Sequence, residues 1–411
     1  MNRMMNRISF LPVLCAAALA VSCGERPLYD AGTPLSVRMV ESEIVRNPSP
    51  TTLDGIPAGR VKWNYTSGLE LLAMMDAGEA YGRPDFYDYA LRYYDTIVRP
   101  DNSVITYKTS NYNLDHICPG RPLFTIAERT GEPRFHAVLD TLFVQLQEHP
   151  RNDDGGFWHK KVYPHQMWLD GLYMAEPFYA EYAVRNYSES ELFANLKADI
   201  VRQFTTVAEH TYDPATELYR HACDVSREMF WCDKTTGQSA HAWGRAMGWY
   251  AMAIVETLQY LGVDATTQPM VDILHHIYEV LPKYADPETG MWYQVLDQPG
   301  REGNYVEATG SIMFVYAMLK GVRLGYLPAE LGPEAQRLYE RFVERFVKEN
   351  PDGTISITDC CAVAGLGGRS MRSGKFDYYI SEPIIENDCK GVGPFIWASL
   401  EYERVKGGLQ K

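Results

Sequence analysis

Five short turn segments of one type recur along this chain, and they constrain its fold more than any other feature. Each places Asp or Asn with Gly or Pro before a short run of aromatic or β-branched residues. They are RPDNSVITYK from Arg99, RNDDGGFWHK from Arg151, TYDPATELYR from Thr211, YADPETGMWY from Tyr284 and ENPDGTISIT from Glu349. Successive starts lie 52, 60, 73 and 65 residues apart, which leaves room for two helices per interval. The spacing predicts a repeat of helical hairpins.

The segments between the turns have helical patterns that range from amphipathic to strongly apolar. Examples are GLELLAMMDAGEAYG from Gly68, AMGWYAMAIVETLQYLG from Ala246 and GSIMFVYAMLKGVRLGYL from Gly310. No repeated alternating run of strand length competes with them. Hairpins packed side by side can close into a ring, with the inner helices as its core and the turns at one mouth. We therefore expect an all-α (α/α)6 barrel, a toroid of six hairpins, as a single domain over residues 59–411, after a polar, irregular leader over 23–58.

The first residues, MNRMMNRISFLPVLCAAALAVSCGE, have the form of an export signal. Two arginines precede an apolar run that is too short for a confident membrane span, and small residues follow it. The ending before Cys23 resembles the lipobox of bacterial lipoproteins, so residues 1–22 are predicted to be removed and Cys23 to carry lipid. The protein would then be periplasmic or anchored to the outer membrane, touching the membrane only through that lipid. An ordinary secretory signal cut elsewhere is the alternative.

The composition restricts the partners. The formal charge is −14, and it becomes −16 once the signal with its two arginines is removed, so nucleic acid is excluded as a partner. Aromatic residues make up 12% of the chain, which suits flat contacts with sugar rings as well as core packing. An acidic sugar would need cations placed locally in its site.

Six cysteines remain beyond Cys23, and an oxidising compartment permits disulfides among them. They are Cys118, Cys223, Cys232, Cys360, Cys361 and Cys389. Fifteen pairings are possible, and Cys223 with Cys232 is the one local pair that we favour. No paired CxxC and no HExxH is present, so neither a dedicated metal site nor a cofactor is predicted, although a structural ion bound by scattered acids stays open.

The segment HQMWLDGLYMAEPFYAEY from His165 carries a carboxylate that packing does not explain. Its apolar residues have helical spacing, at Met167, Leu172, Met174 and Phe178. On such a helix Asp170 has aromatic and aliphatic neighbours, among them Trp168 and Tyr173. Burial disfavours the ionised carboxylate, so Asp170 is a candidate general acid. The alternative is a helix cap or a partner for a buried amide.

Further polar and aromatic residues lie in the turns or at the start of the next predicted helix. They are Asp115, His116, His159, Lys160, His221, Arg245 and Trp249. Taken singly, each has an ordinary structural explanation, such as a turn-forming Asp or a surface His. In a toroid these positions converge at the mouth, where they would form one site.

Three separate segments carry a resemblance to a known family. They are WLDGLYMA with the HQ before it, SAHAWGRAMGWYAMA, and GMWYQVLDQPGREGNYVEATGSIMFVYAMLKG. Together they resemble the unsaturated rhamnogalacturonyl hydrolases of glycoside hydrolase family 105, over about Trp63 to Gly391. The resemblance implies an (α/α)6 barrel that removes the unsaturated uronic acid left by a pectin lyase at the non-reducing end of a fragment, a bacterial hydrolase of acidic oligosaccharides.

The resemblance also implies roles for individual residues. Asp170 would be the acid/base that hydrates the 4,5-double bond, with Asp115 as the second carboxylate and His221 holding the sugar or assisting proton transfer. The predicted binding residues are Arg245 as a clamp for the uronate carboxylate, Trp168 and Trp249 as stacking platforms or pocket walls, the pair Lys160 and His159, and Tyr65. Glu307 is either a site carboxylate or a helix cap.

Three other functions remain open from the sequence. Unsaturated glucuronyl hydrolases perform the same hydration on glycosaminoglycan fragments. A glycan-binding lipoprotein would use the aromatic residues without chemistry, and an inverting glycosidase would need two carboxylates about 6.5 to 9.5 Å apart. Residues 360–385 are predicted to form a long loop at the mouth that shapes specificity. The oligomeric state is left open.

Overall fold

The computed structural model describes residues 32–409, which contain twelve α-helices of nine or more residues and one shorter α-helix. The predicted signal peptide and Cys23 lie outside the described residues. The helices are α1 Leu35–Arg46, α2 Tyr65–Tyr81, α3 Pro84–Ile97, α4 Pro122–Thr130, α5 Pro133–Gln147, α6 Leu169–Tyr187, α7 Phe193–Thr211, α8 Gly244–Leu261, α9 Gln268–Val280, α10 Ala308–Arg323, α11 Gly332–Phe346, α12 Phe376–Ser381 and α13 Cys389–Val405.

The long helices form two concentric rings. The inner ring runs α2, α4, α6, α8, α10 and α13, and α13 packs against α2 to close it. Residues of α8 and α10 are buried on nearly every side, whereas outer helices such as α7 and α11 bury one face. This division follows from the sequence, because a helix apolar all round must be enclosed while an amphipathic one can cover it. The predicted all-α (α/α)6 barrel is confirmed.

The expectation of irregular chain up to residue 58 is wrong for α1. This helix buries Val37, Met39 and Val40 along one face, and it packs on α13 as the outer helix of the sixth hairpin. Ser36 donates through its backbone N–H and its hydroxyl to Glu403, at 3.1 and 2.6 Å. The chain therefore begins the sixth hairpin with one end and completes it with the other.

The five turn segments all lie where an outer helix has ended and the chain returns toward an inner one. A sixth connection, residues 47–64 between α1 and α2, does the same without the recognised turn composition. Short two-stranded ladders stiffen several connections. The strands are β1 Gln166–Trp168, β2 Tyr212–Asp213, β3 Leu218–Tyr219, β4 Ala222–Asp224, β5 Val347–Glu349, β6 Ile355–Ile357, β7 Cys360–Cys361 and β8 Ile384–Ile385, paired β1–β4, β2–β3, β5–β6 and β7–β8.

All these connections lead to the N-termini of the inner helices, which gather at the mouth. Helix N-termini favour negative charge, and three carboxylates lie there. Asp170 is in the first turn of α6, Asp388 caps α13, and Glu307 caps α10 by accepting from the N–H groups of Thr309 and Gly310. Glu307 also accepts from Cys361 N–H at 2.8 Å, so the structure assigns it the helix-cap role.

Two further findings bear on the sequence analysis. The six cysteines, all within the described residues, are free and buried, so the favoured Cys223–Cys232 disulfide is not formed. Cys223 lies in β4 and Cys232 in the loop after it, and each thiol donates to a backbone carbonyl. Over residues 32–409 no helix is both long and apolar enough to cross a membrane.

Candidate active site

The β1–β4 ladder brings Asp170 to His221. Trp168 at the end of β1 pairs with Ala222, and the N–H of Leu169 donates to the carbonyl of His221 at 3.1 Å. The α6 helix begins at this point, so Asp170 projects beside the imidazole. Its Oδ2 is 3.3 Å from His221 Nε2, yet the two atoms do not form an aligned hydrogen bond, and both are buried. This pair leaves hydrogen-bonding capacity open at the mouth.

His221 is rigidly held and fully buried. Its Nδ1 lies 2.7 Å from the hydroxyl of Tyr379, and its ring packs against Trp168 and Trp243 with centroids 5.1 and 4.7 Å away. A carboxylate beside Nε2 favours the proton on that nitrogen, so the Tyr379 hydroxyl donates to Nδ1. Sequence reasoning missed Tyr379, whose only signal was its place in the aromatic run of the predicted mouth loop.

Asp115 occupies a 3-10 turn, Leu114–His116, that Asn113 caps through a hydrogen bond to the Asp115 N–H. Its carboxylate forms a salt bridge with Lys160 and lies 3.3 Å from His159 Nε2. Burial would raise the pKa of Asp115, but Lys160 and His159 outweigh it and hold the pKa below its usual value. Asp115 is therefore an ionised carboxylate at neutral pH.

His159 and His221 both contact the indole ring of Trp168. The His159 ring stacks on Trp168 with centroids 4.6 Å apart, and Tyr163 also stacks on that indole at 5.6 Å. Burial lowers the pKa of His159 to about 4, so it is neutral at pH 7. Trp168 thus joins the two carboxylate–histidine pairs. Since Trp168 is only 6% exposed, it serves as a pocket wall.

The second predicted platform, Trp249, lies deeper. Its ring is 1% exposed and packs against Tyr173 at 4.7 Å and Tyr65 at 6.4 Å. Tyr65, the first residue of α2, is half-buried above it. Trp249 therefore supports Tyr65 from below and does not present an open face to a ligand.

Arg245, in the first turn of α8, is also buried. Its guanidinium lies over Trp243 at 4.6 Å and donates through one Nη to the carbonyl of Cys361 at 2.5 Å, while Nε has no hydrogen-bond partner. Burial would lower the pKa of Arg245, but the charges of Asp388 and Glu307 contribute to raising it above its ordinary value. Arg245 is thus a fixed positive charge, and one of its donors is already used by the mouth loop.

The structure brings most of the predicted residues into one mouth. Asp170 contacts His221, Asp115 contacts Lys160 and His159, and Trp168 connects these two groups. Within residues 32–409 no group of three or more His, Cys, Asp or Glu side chains is placed to hold a metal ion. Two carboxylates, each beside a histidine, at the mouth of a six-hairpin toroid can supply and accept protons at a sugar. This arrangement is that of a glycoside hydrolase.

Comparison with known proteins agrees with this class. The chain belongs to the group of glycosyl hydrolase families 88 and 105. The model of Glycosyl Hydrolase Family 88 matches residues 35–406. A solved family 105 glycoside hydrolase of C. acetobutylicum ATCC 824 is 40% identical to this chain. That structure has a TM-score of 0.84, and the match covers 90% of this chain and 100% of the other. Membership of family 105, predicted from three sequence segments, is confirmed.

Two curated relatives extend the comparison. Protein Atu3128 of Agrobacterium fabrum is 36% identical over 234 residues, which cover 56% of this chain and 97% of the relative. The unsaturated rhamnogalacturonyl hydrolase YesR of Bacillus subtilis is 24% identical over 270 residues, covering 64% of this chain and 72% of the relative. The sequence similarity therefore extends to a protein named as an unsaturated rhamnogalacturonyl hydrolase.

Proposed function

We propose that this hydrolase hydrates the 4,5-double bond of an unsaturated uronic acid at the non-reducing end of rhamnogalacturonan fragments produced by a lyase. The observation that carries the proposal is the unequal state of the two carboxylates. Asp115 is held ionised by Lys160, whereas Asp170 Oδ2 is buried without a hydrogen-bond partner beside His221. One carboxyl group is thus left to exchange a proton with a substrate.

The reaction needs one group that first gives and then takes a proton. Asp170 in its acid form gives a proton to C4 of the vinyl ether, and a water oxygen bonds to C5 as the water returns a proton to Asp170. The product is a hemiketal at C5. Its opening breaks the bond between C5 and the ring oxygen and gives a ketone at C5 and a hemiacetal at C1, which collapses to an aldehyde and releases the remaining sugar as an alcohol. Because one residue serves both steps, a pair of carboxylates acting as separate acid and nucleophile is not required.

The charges of the site support an acidic substrate. Against a formal charge of −14 for the whole chain, the mouth contains the cations Lys160, which is paired with Asp115, and Arg245, a buried positive charge. Arg245 retains donors besides the one given to Cys361, and a guanidinium can meet a carboxylate with two parallel hydrogen bonds. The choice of a pectic substrate is supported by the name of the relative YesR.

The N-terminal segment completes the proposal. Residues 1–22 would direct export and Cys23 would carry a lipid, which places the enzyme on the cell envelope, where fragments made by lyases arrive. Mass spectrometry of the mature protein tests this directly. A diacylglyceryl group on Cys23, lost in Cys23→Ser, is the expected result, and an unmodified N-terminus cut elsewhere contradicts it.

The test of activity follows the ultraviolet absorbance of the unsaturated uronate. We expect the absorbance to fall when wild-type protein is added to a lyase-generated rhamnogalacturonan disaccharide, and to persist with Asp170→Asn. Glu340→Gln, at an exposed position on the outer helix α11, is the matched control and should behave as wild type.

Two further arms separate the competing functions. Decay on unsaturated chondroitin disaccharide alone would assign the enzyme to glycosaminoglycan fragments. Binding of either disaccharide by calorimetry, with no decay by the wild type, would contradict catalysis and favour a glycan-binding protein.

A further inference from the structure

A small cavity lies beside the ring of His159, behind the mouth. Its volume, measured as the space open to the centre of a water molecule, is about 10 Å³, which is room for one water. Most of its wall is apolar, and its polar side chains come from three residues. The three polar residues are His159, Glu176 and Gln203, and Gly171 is part of the remaining wall.

Two of the polar side chains have unused capacity. Gln203 has a partner for each of its polar atoms, because its oxygen accepts from the Phe157 N–H at 2.8 Å and its nitrogen donates to the Gly155 carbonyl at 3.1 Å. By contrast, His159 Nδ1 and Glu176 Oε2 are buried and without a hydrogen-bond partner. Buried polar groups are rarely left unpaired, so two such atoms lining one cavity of this size point to a shared partner.

The donors and acceptors balance around a single water. His159 Nε2 lies 3.3 Å from the Asp115 carboxylate, which can only accept, so the ring proton belongs on Nε2 and Nδ1 is an acceptor. Burial raises the pKa of Glu176 well above its usual value, Asp199 adds to the shift and Arg151 opposes it, which favours the protonated carboxyl as a donor. A water can accept from Glu176 and donate to His159 Nδ1.

We infer that a buried water in this cavity links Glu176 to His159, and that Glu176 is a positioning residue that keeps the His159 proton directed at Asp115. Its effect on catalysis rests on the proposed function, whereas the water and the tautomer do not.

The course of α6 makes the link possible. Glu176 lies six residues after Asp170 on this helix, and helical side chains lean toward the N-terminus, which directs Glu176 back toward the mouth. Between them, Gly171 leaves space at the imidazole, because a Cβ there would come within 3.0 Å of His159 Nδ1. One helix thus supplies Asp170 beside His221 and Glu176 behind His159.

The direct test compares crystal structures and histidine ring nitrogen shifts of four proteins: wild type, Glu176→Gln, Glu176→Leu and the control Glu181→Leu. Glu181 is another buried glutamate of α6, paired with Arg185 away from the cavity. We expect an ordered water within hydrogen-bond distance of His159 Nδ1 in the wild type, and its loss in Glu176→Leu together with a change in the His159 nitrogen shifts. A dry cavity in the wild type, or unchanged shifts in Glu176→Leu, would overturn the inference.

Turnover gives the second readout. Glu176→Gln retains a donor, so its kcat should stay within about threefold of wild type, while Glu176→Leu should lose about tenfold or more with little change in KM. The acid limb of the kcat/KM profile of Glu176→Leu should move to higher pH. Without the water, the His159 proton is no longer kept on Nε2, so the imidazole no longer stabilises the Asp115 carboxylate. Glu181→Leu should change neither limb. A wild-type profile for Glu176→Leu would contradict the positioning role; inactivity of the wild type would contradict the proposed function and leave the structural readouts decisive.

Discussion

Two carboxylates on neighbouring inner helices, the partly buried Asp170 in the first turn of α6 and the buried Glu256 toward the end of α8, are treated in opposite ways. Asp170 Oδ2 lies beside His221 without a hydrogen bond. Both oxygens of Glu256 accept hydrogen bonds from four residues, namely Tyr316 and Lys320 to Oε1 and Arg121 and Gln259 to Oε2. The barrel therefore leaves an acid unsatisfied at its mouth and neutralises one in its interior.

The two carboxylates serve different properties: Asp170 serves the reaction, and Glu256 serves the stability of the fold. Lys320 and Arg121 outweigh the effect of burial and lower the pKa of Glu256 to about 2, so it is ionised wherever the protein is folded at ordinary pH. Such a group has no proton to exchange. Asp170 Oδ2 has no hydrogen-bond partner, and a reacting sugar can use that open capacity. Removing each carboxyl group should therefore damage a different property.

The largest effect is expected from Asp170→Asn. An amide cannot exchange the proton, so kcat should fall by about 10³-fold or more. The free energy of unfolding should stay within about 1 kcal/mol of wild type, because the substitution removes a poorly paired buried oxygen. Steady-state kinetics and urea unfolding measure the two. If Asp170→Asn retained its turnover or lost much of its stability, Asp170 and Glu256 would not differ in the way described.

Glu256→Gln should have the reverse effect. It leaves Arg121 and Lys320 buried without their counter-charge, so the free energy of unfolding should fall by about 3 to 5 kcal/mol. The folded fraction should turn over at nearly the wild-type rate. Urea unfolding at pH 7 checks this, with exposed Glu340→Gln expected within about 0.5 kcal/mol of wild type. An inactive but stable Glu256→Gln would show that the interior network serves the reaction.

Acid should reduce the stability that the interior network, Glu256 with Arg121, Gln259, Tyr316 and Lys320, gives to the wild type. The pKa of Glu256 is about 2 in the folded protein and 4.5 for an unperturbed glutamate, so the folded state binds fewer protons than the unfolded state between these values. Its contribution is present above about pH 4.5 and is lost as the pH falls toward 2. The stability difference between wild type and Glu256→Gln should narrow over that range. A constant difference would mean that Glu256 is not the titrating group.

A smaller effect is expected at the second carboxylate of the mouth. Lys160→Met removes the cation that holds Asp115 ionised, so the pKa of Asp115 should rise. The acid limb of kcat/KM should then move to higher pH, with a loss of about 10- to 100-fold at neutral pH. Lys160→Arg retains the charge and should show a smaller shift of the limb. An identical shift in both variants would assign the effect to geometry instead of charge.

The hairpin repeat and most of the mouth could be predicted because their signals are local. Each turn segment carries its own Gly, Pro and Asp, and Asp115, His159, Lys160 and Asp170 lie in short segments that resemble the family. The role of α1 could not be predicted in this way, since its apolar face is explained only by α13 at the far end of the sequence.

Long-range contacts also concealed parts of the site. Tyr379 reaches His221 from 158 residues away, and the sequence around it shows only an aromatic run. Glu176 sits in an apolar helix whose pattern gives no sign of a cavity. Arg245 was predicted as a clamp, and the sequence could not show that a carbonyl of the mouth loop already uses one of its donors.

The pairing of α1 with α13 gives the ring a seam. Every other hairpin joins neighbours in sequence, but this one is held by contacts such as Ser36 to Glu403, 367 residues apart. Among the helices of the barrel α1 is synthesised first, and its contact with α13 forms only after α13 has been synthesised. Folding is therefore expected to finish cooperatively, when the final helix arrives. The two ends of the helical barrel meet at that seam, so they could be linked and the chain reopened at another outer connection without altering the ring.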